Sequence, residues 1–600
     1  MTRRVTPAKA PKVRRHPWRR PVVLVVVAGA AIYGAVALPE AVEHDHPIRD
    51  TAGQVVGYHH GLSVAQLLCW IIAGVCLLLG WIAASSARRI TKAKRAERAR
   101  RAAWERDDMP YVIATSPDPF AAARRQAAVM GGGAFLGWAA DATGARVWIG
   151  APAEAAVCVL APPRAGKTTG VVMPSVVSAP GPVVVTSIKR DVLDATAALR
   201  ARVGRCWLFD PSGREVAPPG VEPLRWSPVA SAGTWDDSRI VARSMVAAAL
   251  SLTGPAGGGP GTGGEAHFTD KATDTLAPML YAAHHAGVSM AEVADWLYRA
   301  DPAPALDLLA AHHTGGGQGA TGAGIAWGVL GSVEQLADRE RSSVYSTAQR
   351  VVTAHQLEGV RALAGESNFD PAAFATSTDT VYVAAGIDVQ TAAAPVVVAL
   401  LTAITSAVYA RQRAVSAGTA RPGPPVQMIL DEAANIAPIA DLPQWLSTAG
   451  GNGLHLVVVF QDLSQVATRW GRHIASGLLT LCSTKLILGG IADPDTLAAL
   501  SGFIGSYDRT MISHSTGYTS GNWMQPGQTT TSTTTSTQRQ PILEPGQIAQ
   551  IPPGQALLID GTRYATIALG PWWDQHSPWR QVQAAVTVQP LPQGRPLLPS

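Results

Sequence analysis

The residues with the sharpest chemical pattern are Gly166-Lys167-Thr168-Thr169. They follow an apolar run, Val157–Leu160, and a short turn, Ala161-Pro162-Pro163-Arg164-Ala165. This is the order a phosphate-cradling loop requires. Gly166 allows close backbone approach, amide N–H groups curl around a β-phosphate, Lys167 reaches the β and γ oxygens, and the Thr168 hydroxyl meets Mg2+. The expected nucleotide-binding set is Arg164, Ala165, Gly166, Lys167, Thr168 and Thr169. The segment Gly170–Ser178 continues as a helix whose N-terminal dipole favours an anion. The pattern resembles the Walker A loop G-x-x-x-x-G-K-[ST], with Ala161 where the first glycine belongs. A Cβ at that position is tolerable if φ is negative, and Pro162-Pro163 stiffens the turn.

A second apolar run, Val426–Leu430, ends in Asp431-Glu432, the arrangement of a Walker B strand. Asp431 is placed to hold the Mg2+ shell and Glu432 to polarise an attacking water. A third run, Leu454–Phe460, ends in Gln461. A polar residue at that strand end faces the γ-phosphate in a RecA-like sheet, which makes Gln461 the expected sensor. Lys167, Glu432 and Gln461 are thus the catalytic expectation, Thr168 and Asp431 the metal-binding one, and ATP with Mg2+ the cofactors.

These residues need a sheet that brings the three strand ends together. Further runs at Val183–Thr186, Cys206–Phe209, Thr380–Ala385, Lys485–Leu488 and Ala556–Ile559 read as strands of one parallel sheet. Helical stretches such as Val396–Ala414 separate them. Strand–helix alternation with active groups at strand carboxyl ends predicts a doubly wound α/β domain.

Composition frames the rest. Of 600 residues 47% are hydrophobic and 15% charged, against roughly 25% charged in an ordinary soluble chain. A fibrous or disordered protein is excluded, and five cysteines exclude a disulfide scaffold. Residues 22–38 and 61–84 are apolar enough and long enough to span a bilayer. The first twenty residues carry eight Lys/Arg and no acid, residues 85–108 nine Lys/Arg, and the loop 39–60 only one. The positive-inside rule then puts both chain ends and the body in the cytoplasm, as a multi-pass plasma-membrane protein. The net charge is +6, yet residues 1–108 hold +10 and residues 109–600 hold −4. The basic excess therefore reports membrane topology and lipid headgroup contact, not nucleic-acid binding.

Longer motifs add a family. Asp431-Glu432-Ala433-Ala434-Asn435-Ile436 leads through Ile439 and Asp441-Leu442-Pro443 to a strand and then Gln461-Asp462-Leu463-Ser464-Gln465. Ala161–Lys167 is similar to G-P-T-R-S-G-K. Ser187–Asp191, Phe209-Asp210-Pro211 and Trp226-Ser227-Pro228 follow in order. Ile542-Leu543-Glu544-Pro545 and Ile551–Leu558 supply a C-terminal strand motif. Over roughly residues 150–570 the chain resembles the type IV secretion coupling proteins, the TraG/TraD-like conjugative DNA-transfer ATPases. The departures are Ala161 for Gly, Ala433 for the common Phe, and Ser187 where Asp is usual.

The resemblance implies a RecA-like P-loop NTPase domain with an all-α insertion, behind an N-terminal two-helix transmembrane hairpin. The expected layout is an anchor over 1–108, the first part of the nucleotide-binding domain over 109–234, an all-α insertion over 235–365 interrupted by Gly-rich breaks at 253–264 and 314–324, the second part over 366–573 and a Pro-rich tail over 574–600. Within it, the Thr-rich stretch 515–540 reads as a disordered loop. The resemblance further implies DNA, single-stranded rather than double-stranded, and its relaxase as cargo, secretion-channel membrane proteins as partners, and a homo-hexamer. An arginine finger in trans would come from Arg469, Arg472 or Arg563, among which the sequence does not choose. Two other readings stay open: an FtsK-like double-stranded DNA translocase, and a receptor that docks secretion substrates without hydrolysis.

Overall fold

The structure, a computed structural model, describes residues 46–49, 51, 55–59, 112–113, 133–140, 146–152, 154–251, 263–363, 365–384, 386, 390–519, 528–561 and 563–569. The expected spans 22–38 and 61–84 and the tail 574–600 lie outside the described residues. The chain divides into two compact units, Met1–Glu105 and Arg106–Ser600. In the first, β1 (His46–Arg49) pairs antiparallel with β2 (Val55–His59).

The second unit is built on one sheet, thirteen-stranded among the described residues. In chain order its strands are β3 (Val112–Ile113), β4 (Phe135–Ala140), β5 (Arg146–Gly150), β6 (Val157–Leu160), β7 (Val183–Ser187), β8 (Cys206–Phe209), β9 (Val221–Pro223), β10 (Thr380–Ala384), β11 (Val426–Leu430), β12 (Leu454–Phe460) and β13 (Thr484–Leu488). After the two-stranded β14 (Ser506–Thr519) and β15 (Gln528–Pro541) come its last members, β16 (Gln555–Asp560) and β17 (Arg563–Ala568). The spatial order is β3-β5-β4-β17-β16-β13-β6-β12-β11-β7-β10-β8-β9. From β13 to β9 every neighbouring pair is parallel. The strands β6, β7, β11, β12 and β13 are buried along their whole length. That is the burial a parallel sheet covered on both faces demands, and it is why these strands read as continuous apolar runs.

The expected strands are present within one or two residues, with one change of direction. Ala556–Ile559 belongs to β16, which runs antiparallel to β13. The cause is the route of the chain. Gly490, just past β13, donates its N–H to the Ala549 carbonyl (2.9 Å). The chain therefore enters β16 from the carboxyl end of β13 and must run back. The sheet is mixed, with an antiparallel block from β16 to β3 beside the parallel one.

Between β9 and β10 lie the helices Trp235–Ser251, Gly263–Ala286, Met290–Arg299, Ala303–Thr314, Ala320–Glu334, Asp338–Val351, Glu358–Leu363 and Pro371–Ala375. Ala320–Glu334 falls partly in a stretch read from sequence as a Gly-rich break. It is helical because Ala323, Ala326, Leu330 and Val333 recur on one buried face, which outweighs the roughly 1 kcal/mol that each helical glycine costs. These helices share one hydrophobic core with the sheet. The helix Gln390–Ser416 is apolar and long enough to cross a membrane, yet 72% of its most apolar window is buried in the protein. It packs against Trp235–Ser251 as a core helix.

The Thr-rich stretch is not a disordered loop over its described residues. β14 and β15 form an antiparallel ribbon in continuous register from Ser506↔Pro541 to Thr519↔Gln528. Low hydrophobicity argued for disorder, but threonine is β-branched and suits an extended, paired backbone without a core. Where its side chains are described, the ribbon is exposed along both strands except at Gln540 and Pro541, at its base, which are half-buried. It should therefore contribute little to the stability of the body. Joining the paired residues Tyr507 and Gln540 through an Asn-Gly turn in place of 508–539 is expected to move the melting midpoint by no more than about 2 °C, the scale of an ordinary surface change. A drop of ten degrees or more in differential scanning fluorimetry would show that the ribbon supports the core.

Candidate functional site

The loop after β6 begins with Ala161, fully buried, whose N–H donates to the Phe460 carbonyl of β12 (3.0 Å). Ala161 does not have a positive φ, so its Cβ is accommodated. The left-handed backbone falls instead at Arg164 (φ 65°) and Gly166 (φ 91°). A Cβ on Gly166 would meet nothing within 4 Å, so glycine is needed there for conformation, not for space. The Gly166 carbonyl accepts from Gly170 N–H (2.8 Å) and Thr169 Oγ1 (3.3 Å), which locks the loop onto a helix that starts as a π-turn, Thr168–Val172, and continues as Met173–Ser178.

The side chains then converge. Lys167 Nζ lies 3.2 Å from Glu432 Oε1 and 3.4 Å from Asp431 Oδ1. Thr168 Oγ1 donates to Asp431 Oδ2 (3.2 Å). Residues from two segments some 260 positions apart thus meet because β6 and β11 both end here, separated only by β12. Gln461 follows β12 and so sits between the two loops. It is half-buried, and its main-chain N–H donates to Gln465 Oε1 (3.1 Å). Arg164 is exposed and Ala165 half-buried on the loop. Four of the expected residues are in direct contact, and Gln461 stands at the intervening strand end.

Asp431 is 5% exposed and Lys167 7%. Burial pushes the Asp431 carboxyl above its ordinary range; the Lys167 ammonium opposes this, the Glu432 carboxylate reinforces it, and bonds from Thr168 and Lys167 oppose it further. Asp431 Oδ1 has the ion-pair contact to Lys167 but no hydrogen-bond donor of proper geometry. A buried carboxylate oxygen left in that condition, beside a threonine hydroxyl, fits a hard cation such as Mg2+, which takes one or two protein oxygens and completes its octahedron with water and phosphate. Among the described residues there is no cluster of three or more His, Cys, Asp or Glu side chains able to hold a metal on its own.

Glu432 has a left-handed backbone (φ 55°, ψ 49°) and caps the short helix Ala433–Ile436. For a non-glycine residue that conformation costs about 1–3 kcal/mol and persists only where its surroundings enforce it. The enforcing contacts are main-chain bonds: the Glu432 carbonyl accepts from Asn435 and Ile436 N–H (2.9 and 3.2 Å). The Asn435 side-chain amide donates separately to the Glu432 carboxylate at Oε2 (3.3 Å). Thr186 Oγ1 on β7 donates to the Asp431 carbonyl (3.1 Å). Asn435, Thr186 and Gln465 were not among the residues expected to form the site. The i, i+3 spacing of Glu432 and Asn435 across a helical turn was the available signal.

Of the three finger arginines, Arg469 is engaged within its own chain. Its Nε donates to the Ala434 carbonyl (2.9 Å) and its Nη1 to the Ser251 carbonyl (2.6 Å). Burial lowers its pKa from the ordinary value. Arg472 and Arg563 are exposed, at the start of the helix Arg472–Leu481 and of β17.

An ammonium, a hydroxyl and two carboxylates beyond the carboxyl ends of two strands with one strand between them are equipped to grip a polyanion and a hard cation together. The family that carries this site is identifiable. The model of the type IV secretory system conjugative DNA transfer family matches residues 104–572, and the chain belongs to that family. Among solved structures, the bacterial conjugative coupling protein TrwBΔN70 in its unbound form is 17% identical, with 70% of this chain and 86% of that chain covered and a TM-score of 0.48. The plasmid coupling protein TrwB in complex with ADP and Mg2+ is 16% identical over 71% and 88%, with a TM-score of 0.49. VirB4 of Thermoanaerobacter pseudethanolicus is 13% identical over 75% and 98%, with a TM-score of 0.41. Comparison with curated protein sequences gives no match.

The raised pKa of Asp431 carries a stability prediction. A carboxyl whose folded pKa lies above its unfolded value contributes full stability below the unfolded value and loses it as pH rises through the folded one. Asp431→Asn should therefore narrow the difference in melting midpoint between neutral and acidic conditions, while the loss of one partner of the buried Lys167 ammonium acts on the midpoint at both pH values. A midpoint that falls at neutral pH on this substitution would mean that the Lys167 pair outweighs the burial.

Proposed function

We propose that the protein is a membrane-anchored ATPase that drives DNA, with its bound relaxase, into a type IV secretion channel. The observation that carries this is the convergence of Lys167, Thr168, Asp431 and Glu432 within 3.2–3.4 Å at the ends of β6 and β11, in a chain of the conjugative DNA-transfer family. The order β13-β6-β12-β11-β7 supports a RecA-like P-loop reading, because it leaves one strand between the phosphate loop and the carboxylate pair. TrwB in complex with ADP and Mg2+ makes a nucleotide the natural ligand to test.

In this reading Lys167 leaves the two carboxylates for the β and γ phosphate oxygens, and the amides of Arg164–Thr169 surround the β-phosphate. Thr168 and Asp431 would hold the Mg2+, which when bound would neutralise charge developing on the phosphates. Glu432, released from Lys167, accepts a proton from the attacking water. Gln461 contacts the γ-phosphate oxygens and reports their departure along the helix Leu463–Trp470. Residues 22–38 and 61–84 anchor the chain, the body is cytoplasmic, and six copies form a ring that closes each site with an arginine of the neighbour. With Arg469 held in cis, Arg472 and Arg563 are the better finger candidates. The body carries a net −4, so DNA contact is local or within a ring lumen, and single strands are the proposed substrate.

ATP turnover by the full chain in lipid nanodiscs, with and without single-stranded DNA, tests the reading. Lys167→Ala and Glu432→Gln should each lower kcat by about 100-fold or more, the scale of a lost electrostatic or general-base contribution. Lys167→Ala should also abolish Mg2+-dependent nucleotide binding, and Glu432→Gln should leave it intact. Wild-type turnover in both variants would refute the site, and double-stranded DNA as the better stimulator would favour a duplex translocase.

A further inference from the structure

Glu432 is held at both carboxylate oxygens, by partners of different character. Oε1 faces Lys167 Nζ (3.2 Å), and Oε2 accepts from Asn435 Nδ2 (3.3 Å). Lys167 sits on the loop, on a long flexible stem, and phosphate oxygens would compete for its ammonium. Asn435 has no such alternative. It lies one helical turn beyond Glu432, its own N–H bound to the Glu432 carbonyl (2.9 Å). Its neighbours Ala433, Ala434 and Ile436 are buried, and the Ala434 carbonyl is tied to Arg469 (2.9 Å). Its amide must present nitrogen to the carboxylate, because its oxygen would repel it.

We infer that Asn435 is the positioning residue of Glu432. It pins Oε2 and turns Oε1 toward the Lys167 side of the site, where an attacking water would surrender its proton. The inference rests on the proposed role of Glu432 as base and adds what fixes that base. A glutamate reaches its target through three rotatable bonds, and a general base works only within hydrogen-bond reach of the proton it takes. The left-handed backbone at Glu432 sets the start of the side chain, and the Asn435 amide sets its end. A purely structural role for this amide is poorly supported, since main-chain bonds and Arg469 already hold the turn.

The test compares variants of the full chain in nanodiscs for kcat, nucleotide affinity and pH profile. Asn435→Ala should lower kcat by about 10- to 100-fold, the cost of a misplaced catalytic group, with nucleotide affinity and KM kept within about twofold because no contact to ligand is removed. Asn435→Asp keeps the shape but sets a carboxylate against Glu432. It should shift the acidic limb of the kcat profile to higher pH, which loss of a structural contact alone would not do. If Asn435→Ala lowers the melting midpoint, the Asn435→Asp profile decides. An Asn435→Ala variant with wild-type kcat, an equal loss of nucleotide affinity, or an unshifted Asn435→Asp profile overturns the assignment. Glu432→Gln separates the two levels. If it abolishes turnover while Asn435→Ala does not affect it, only the positioning role fails. If Glu432→Gln turns over normally, the reading of the base fails with it.

Discussion

The structure turns on one buried cation. Lys167 is a nearly inaccessible ammonium, and its compensation comes from Asp431 and Glu432 on a different strand. A lone buried charge is prohibitively costly, and a paired one is tolerable only with close geometry. The loop after β6 and the end of β11 must therefore stay in register to within an ångström or so. The strands deliver this through a parallel ladder in which β12 bonds to β6 on one side and to β11 on the other. The Phe460 carbonyl extends that ladder into the loop by accepting from Ala161. Every other feature of the site hangs from this alignment: the left-handed turns, the helix that carries Thr168, and the exit of Glu432.

The arrangement also has a cost that points to use. Asp431 is buried deeply enough to raise its pKa despite the adjacent ammonium, and Glu432 holds a strained backbone. A chain selected for stability alone would place neutral groups here. A strained backbone set beside paired buried charges is a recurrent mark of functional sites.

Much of this was legible in the residues. Apolar runs of four to seven with turn residues at their ends named the parallel strands, because a strand buried on both faces has few other compositions. Gly-Lys-Thr and Asp-Glu marked a candidate site, and the structure brings their side chains into contact. What escaped was set by tertiary route and local pairing. The direction of β16 depends on where the preceding helix delivers the chain, which periodicity does not encode. The Thr-rich ribbon was hidden because a polar composition lowers the expectation of a core while β-branching raises the expectation of a strand, and only pairing decides. The helix Ala320–Glu334 was hidden because its glycines mask a buried face of small residues.

Arg469 shows the same limit at a single side chain. By residue type and position it was one of three equal finger candidates. Geometry engages it within its own chain. Its guanidinium joins the Ala434 carbonyl, beside the carboxylate pair, to the Ser251 carbonyl at the carboxyl end of the helix Trp235–Ser251. A cation at a helix carboxyl terminus is favourable, and the planar fork of arginine can serve two carbonyls at once. Since Arg469 also belongs to the helix that follows Gln461, one side chain connects the first of the helices between β9 and β10, the strand end expected to sense phosphate, and the turn that aims Glu432. The position of Glu432 is thus physically continuous with the helical layer, and a shift of that helix end cannot leave the Ala433–Ile436 turn untouched unless the Arg469 bonds break first.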